Sequence, residues 1–431
     1  MQTRTVGNSK QSSSTLDSAS CCAVEDSVIR SIFLKNKNNE LFIADSGDLQ
    51  KAKEEYQASY EAKEERRNSR FCARLERGKS SFDAISTEEY RAFGKKGFSI
   101  DHRAQVYEHL LNLSEFEAKY GTEYFSKCLK TDIPSSIGRV IQADIPRTLA
   151  SFVSTCGEVT RSTLMKMLRD VLWSFAVHKP EIGYCQSMNF IAAYFISVFG
   201  SARKSFYALV QFIDSPTSPY VGLHIPAYYA PGMTQLLSDI GVLDLMVRRR
   251  IGEKNLREFF QQREISSLSL IVSEWFLTCF ITVFPLRTVQ RLMDYFVSNA
   301  GGSSKVLFRI AFVILREIVN RKHELFDLDQ VMQGHKRITR EWVKHNELVV
   351  AATRGIRMFS KRDVDEWRRL IASLGRSGSA CSISADPMGT TMMRLEEAIA
   401  QRTTTALSVP EDGILDLPDT TYSNRLFFAT R

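Results

Sequence analysis

Apolar positions recur with a helical period through the middle of this chain. Leu164, Leu168, Val171, Leu172 and Phe175 fall on one face of a helix, as do Leu307, Ile310, Ala311, Ile314 and Leu315. Val289, Leu292, Met293 and Phe296 make a third such face. Strict alternation over a strand length is scarce, and no Asn-Gly or Asp-Gly hairpin signal sits between alternating apolar runs. The pattern predicts an all-α, multi-helix domain over residues 81–345. Short breaks such as Ser215-Pro216-Thr217-Ser218-Pro219 and Ala300-Gly301-Gly302-Ser303 separate its helices.

The flanks read differently. Residues 1–47 are rich in Ser, Asn and Thr and are expected to be disordered. Residues 48–80 are dominated by Lys, Glu, Arg and Gln, which predicts a charged helical extension, solvated or paired with another helix. Heptads are not sustained there, so a coiled coil is weakly supported. Residues 346–431 form a C-terminal extension, partly helical. It holds a short helix over Val364–Leu374, a Gly/Ser-rich linker over Gly375–Thr391 and a helical stretch over Met392–Gln401. No internal repeat argues for a solenoid.

One stretch requires a membrane test. Leu268 to Phe284 is apolar with a single charge, Glu274, and ends at Pro285. A carboxylate at the centre of a span costs about 2.5–3.5 kcal/mol on insertion scales. A buried helix of a large domain is the better expectation, with no transmembrane segment. No signal peptide is expected either, because Met1-Gln2-Thr3-Arg4 leads into serines rather than an apolar core.

Composition narrows little. Hydrophobic residues make up 44% of the 431, enough for a sizeable core. The formal net charge of +8 favours acidic partners: nucleic acid, anionic membrane or an acidic protein face. It does not choose among them, and a mildly basic cytosolic protein fits equally. The eight cysteines are scattered, without the pairing that zinc requires. Reduced thiols in a cytoplasmic protein follow. Cys21-Cys22 is a weak lipidation candidate, since no apolar or strongly basic segment adjoins it.

Self-contained chemistry is missing. There is no GxxxxGK[ST] loop, so the chain has no nucleotide site of that kind. There is no GxGxxG after a strand, no HExxH and no GxSxG elbow. No metal site and no carboxylate pair for general acid–base work stand out.

Two segments carry the functional case. One is Ile141-Gln142-Ala143-Asp144-Ile145-Pro146-Arg147-Thr148; the other is Gly183-Tyr184-Cys185-Gln186-Ser187-Met188-Asn189. Taken singly, each residue has a structural reading. Asp144 could cap a helix, Pro146 suits a helix's first turn, Arg147 could be a surface cation, and Tyr184 and Gln186 could be turn residues.

Together, IxxDxxR followed by YxQ resembles the signature pair of the TBC domain family, whose members are GTPase activators for Rab GTPases. The resemblance extends outward in the family's order. Gly97-Phe98-Ser99 with Arg103 and Val106-Tyr107 resembles the opening segment. His178 to Gln186 resembles the approach to the glutamine, and Tyr228-Tyr229-Ala230-Pro231 the mid-domain tyrosines. Ser273 to Leu277, Phe284-Pro285, Val289 and Arg291 to Asp294 resemble the C-terminal core motif, and Ser304 to Arg309 the following helix. Departures occur: Ser187 stands where many members have glycine, and Tyr107 and Met293 where tryptophan is common.

The resemblance implies a dual-finger mechanism in regulation of vesicle trafficking. Arg147 would be the arginine finger and Gln186 the glutamine that positions water. A guanidinium is permanently charged and stabilises negative charge developing on a γ-phosphoryl group. A neutral carboxamide accepts and donates, so it can orient the attacking water. Asp144 is expected to hold the Arg147 segment, Tyr184 to support the Gln186 loop or touch the GTPase, Ile141 to anchor the core and Arg103 to support the fold. The partner implied is a Rab GTPase in its GTP form, which itself carries GTP and Mg²⁺. The chain brings no cofactor of its own and is not itself the enzyme. No nucleic-acid partner is expected. Peripheral association with endomembranes, through the GTPase, is the implied location. The alternative is a catalytically inactive scaffold of the same fold that binds a GTPase or another partner; a lost arginine or glutamine would mark it, and neither is lost.

Overall fold

The computed structural model describes residues 47–78, 81–152, 158–214, 225–249, 268–298, 305–321, 328–342, 344–354, 364–365 and 367–369. The expected disorder of residues 1–46, the Cys21-Cys22 pair, the interhelix breaks at 215–219 and 300–303, the linker at 375–391 and the stretch at 392–401 lie outside them.

Among the described residues every regular element is a helix. In chain order they are α1 (Gly47–Arg77), a 3₁₀ turn (Phe82–Ala84), α2 (Thr87–Gly94), α3 (Arg103–Leu110), α4 (Leu113–Tyr120) and α5 (Tyr124–Lys130). Then follow α6 (Ser135–Phe152), α7 (Glu158–His178), α8 (Met188–Phe199), α9 (Ala202–Asp214), α10 (Pro226–Tyr229) and α11 (Thr234–Arg249). The series closes with α12 (Ser269–Leu277), α13 (Leu286–Ser298), α14 (Lys305–Asn320), α15 (Leu328–Arg340) and α16 (His345–Arg354). The all-α expectation therefore holds.

Helices α6 to α9 pack against one another, and α12 to α16 form a second packed group. Contacts of α13 with α2 and α3, and of α3 with α8, join the two. The faces read from periodicity are the buried ones: Leu168, Val171, Leu172 and Phe175 in α7, and Val289, Leu292, Met293 and Phe296 in α13, are all essentially inaccessible.

The join between the groups is polar and buried. Arg103 donates to Asp294 from Nε at 2.9 Å and from Nη2 at 3.2 Å, and Tyr107 Oη donates to the same carboxylate at 2.8 Å. The backbone N–H of Phe98 supplies a fourth bond at 3.0 Å. Four donors on one carboxylate satisfy it fully, which a buried charge requires. Gly97 sits at φ +94°, and a Cβ there would come within 2.9 Å of Arg291. Glycine is needed for both reasons.

Two expectations change. The charged helix α1 is not simply solvated. Tyr60, Phe71 and Leu75 on one face are buried, and Phe71 meets Phe93 edge-on at 5.1 Å. At its other end Tyr56 and Tyr60 meet His345 edge-on at 5.2 and 5.0 Å. Arg74 reaches Glu89, which also closes the Ser86 capping box of α2. The hydrogen bond from Arg74, with the backbone of Ser86, holds the Glu89 carboxyl down to about 2. The alternating charges of α1 thus cover an apolar and aromatic face too sparse to show as a helical stripe.

The apolar run Leu268–Phe284 is not one buried helix. It ends its helix at Leu277 and continues in turns, with Cys279 at φ +49° and Phe280 at φ +62°. Glu274 lies at the surface and accepts from Thr282 Oγ1 at 3.0 Å. Among the described residues no helix is long and apolar enough to cross a membrane.

Candidate functional site

Helix α6 divides its residues cleanly. Ile141, Asp144, Ile145, Thr148 and Leu149 face inward at the i, i+3, i+4, i+7, i+8 spacing, all at most 4% exposed. Gln142, Ala143, Pro146 and Arg147 face solvent. Pro146 therefore does not open the helix, as a first-turn proline would; it lies in its interior. With no N–H there, the carbonyl of Gln142 loses its intrahelical donor on the exposed face. Asp144 is likewise inside the helix rather than a cap.

The second segment is the loop between α7 and α8. His178 ends α7, and Met188 begins α8. Gly183 lets the loop approach α6: its φ is +63°, and a Cβ there would lie 2.7 Å from Ile137 Cδ1. Ser187 is held at φ +95°, ψ −26°, a conformation that a side chain resists. Ser187 thus adopts a backbone that glycine prefers. Its N–H donates to Asn189 Oδ1 at 2.9 Å, which helps to hold it there.

Two hydrogen bonds tie helix to loop, and each bracketed residue is exposed. Tyr184 Oη donates to Asp144 Oδ2 at 2.7 Å. Asn189 Nδ2 donates to Thr148 Oγ1 at 2.6 Å, and Thr148 in turn donates to the Asp144 carbonyl at 2.7 Å. Arg147 lies between the two pairs' members on α6, and Gln186 lies between Tyr184 of the loop and Asn189 in the first turn of α8. The structure thus brings Arg147 and Gln186 onto segments bolted together on both sides.

Electrostatics suit this role. Burial, then the bond to Asp144, pushes the Tyr184 phenol far above its usual range, so it remains a donor at every working pH. Arg147 reaches Asp144 only at 3.8 Å, and its side chain is 76% exposed. Gln186 is exposed beside a cleft of about 460 Å³. Ile182, Tyr184, Tyr229, Met233 and Leu277 line that cleft with it. Burial pushes the Cys185 thiol up to about 11, so it is an inert neighbour rather than a nucleophile.

The other predicted residues are placed as follows. Ile141 is fully buried on the inner face of α6. Arg103 lies in the buried join with Asp294, away from the exposed surface that carries Arg147. Thr148 and Asn189 were given no role from sequence, although both flank the motifs. Their signal is positional: Thr148 stands four residues after Asp144, and Asn189 is the second residue of α8. Among the described residues no cluster of His, Cys, Asp and Glu can hold a metal ion.

Residues 100–323 match the sequence pattern of the family described as Rab-GTPase-TBC domain. Human growth hormone-regulated TBC protein 1 is 28% identical over 250 residues, 58% of this chain and 70% of that protein. The crystal structure of the Chlamydomonas flagellar RabGAP TBC domain superposes with a TM-score of 0.58 at 19% identity, over 70% of this chain and 95% of that one. The Ypt/Rab-GAP domain of Gyp1p gives 0.52 at 16% identity, over 71% and 98%. At these identities the two structures speak for the fold alone.

Proposed function

The chain belongs to the Rab-GTPase-TBC domain family, and from that premise we propose that it accelerates GTP hydrolysis by a Rab-family GTPase through Arg147 and Gln186. The observation that supports the reading is the pair of bonds, Asp144–Tyr184 and Thr148–Asn189, that ties together the two segments carrying these exposed side chains.

Each residue then has a distinct task. The partner brings GTP and Mg²⁺. Phosphoryl transfer to water needs charge stabilisation and a positioned nucleophile more than covalent help. Arg147, exposed on the outer face of α6, brings its guanidinium to the developing charge on the γ-phosphoryl oxygens. Gln186 aligns the attacking water through its carboxamide oxygen. Asp144 and Tyr184 hold the two segments together. The protein acts in the cytoplasm, at membranes that carry its GTPase.

Phosphate release measured across a panel of GTP-loaded Rab proteins tests the reading. Stimulation of at least one Rab, lost in Arg147→Ala and Gln186→Ala proteins that still bind it, supports the proposal. A wild-type protein that stimulates none ends it.

A further inference from the structure

The family match stops at residue 323, yet the packed body continues beyond it. Val364 is only 2% exposed and joins the core, and Trp367 packs against it. Arg368 reaches back to Asp239 of α11, with Nε 2.6 Å from Oδ1 and Nη2 2.7 Å from Oδ2. The Asp239 side chain is fully buried and takes a third bond, from Tyr228 Oη at 2.5 Å. Tyr228 belongs to α10. One carboxylate therefore pins α10, α11 and the C-terminal segment together.

That corner bears on the site. The turn between α10 and α11, residues 230–233, is one wall of the cleft whose other wall is the Gln186 loop. Gly232 at φ +82° and Met233 at φ +46° give it a backbone that local preference does not supply. The Tyr228–Asp239 bond spans this turn from end to end. Burial pushes the Asp239 carboxyl up and the Arg368 guanidinium opposes that rise, while the arginine's fork fixes the carboxylate's orientation.

We propose that Arg368 is a positioning residue for partner binding: by clamping Asp239 it holds the cleft wall opposite Gln186 in the shape that receives the GTPase. The inference rests on the GTPase-activating reading above. Arg368 acts through Asp239 and Tyr228 and does not itself touch the partner. A segment outside the family match thereby sets the affinity of the site inside it.

The test uses the full chain and the GTP-loaded Rab that the wild type stimulates most. In Arg368→Ala, KM for the GTPase is expected to rise about ten-fold while kcat changes by less than about two-fold. A merely structural role moves the other parameter, because loss of folded molecules lowers apparent kcat and leaves KM alone; that outcome overturns the proposal. Should the alanine protein not fold, Arg368→Lys decides, since lysine keeps the charge and loses the fork. A raised KM supports the clamp and a wild-type KM overturns it. A second arm needs no GTPase. Amide hydrogen exchange over residues 230–237 is expected to quicken in either variant while α6 is unchanged; equal exchange there also overturns the proposal. If the wild type stimulates no Rab, the functional reading fails while this arm still decides the clamp.

Discussion

Two arginine–aspartate pairs in this chain use the same chemistry for opposite ends. Arg103 and Asp294 are 9% and 0% exposed and meet at 2.9 Å, with a second contact at 3.2 Å. Arg147 and Asp144 are 76% and 6% exposed and meet only at 3.8 Å. Burial works against the charge of Arg103, but Asp294 beside it outweighs that and holds its pKa above the usual value. The first guanidinium is spent on the fold. The second stands 76% exposed on the outer face of α6, while its aspartate accepts from Tyr184. Residue type does not distinguish the two; water access and geometry do.

The comparison breaks most visibly at Arg147. Replacing it with alanine should cost about 10³–10⁵ in stimulated hydrolysis, the usual worth of an arginine finger. Folding stability should shift by less than about 0.5 kcal/mol, as for other surface changes. Single-turnover hydrolysis with denaturant unfolding of the same preparation checks both halves. Arg103→Ala should invert the result. It strands Asp294 and is expected to cost about 3–5 kcal/mol of stability, read as an earlier urea midpoint, with activity falling only as folded protein is lost.

Smaller changes sharpen the contrast. Tyr184→Phe removes the bond that ties the Gln186 loop to Asp144, and should lower kcat about ten-fold, or roughly 1.4 kcal/mol of barrier. Because the Tyr184 hydroxyl stays protonated throughout, the wild-type rate should show no step between pH 6 and 9 from this group. Ser187→Gly relieves a positive φ and should add about 1 kcal/mol of stability with near-wild-type activity; chemical denaturation measures it. The least effect belongs to Val140, 48% exposed and two turns before Arg147 on the same face. Val140→Ser should raise KM for the GTPase about two- to three-fold and leave kcat unchanged.

Periodicity made the helices legible, because faces such as that of α13 repeat locally. The segments carrying Arg147 and Gln186 were legible as motifs, since Asp144 and Arg147, or Tyr184 and Gln186, are close in sequence. What the sequence hid is long-range. Nothing local assigns Asp294 to Arg103, which lies 191 positions away, or Asn189 to Thr148. The docking of α1 was hidden for another reason: few of its contacts are aliphatic, and its arginines read as solvated. The strain at Ser187 was foreshadowed only by the glycine common at that place in the family. The break in the 268–284 run was masked by uniform hydrophobicity, which shows burial without showing where a helix stops.

The docking of α1 also makes the described body a closed ring of chain. Tyr60 Oη donates to Asn346 Oδ1 at 3.0 Å across 286 positions, and Phe71 covers Phe98 and His102. The entropy of closing so long a loop grows only logarithmically with its length, so the contact is affordable. Its consequence is that the two ends protect each other. Fraying or proteolytic loss of α1 uncovers His345 at the start of α16, and loss of α16 strands Tyr56 and Tyr60. A fragment cut to residues 100–323 would give up both at once.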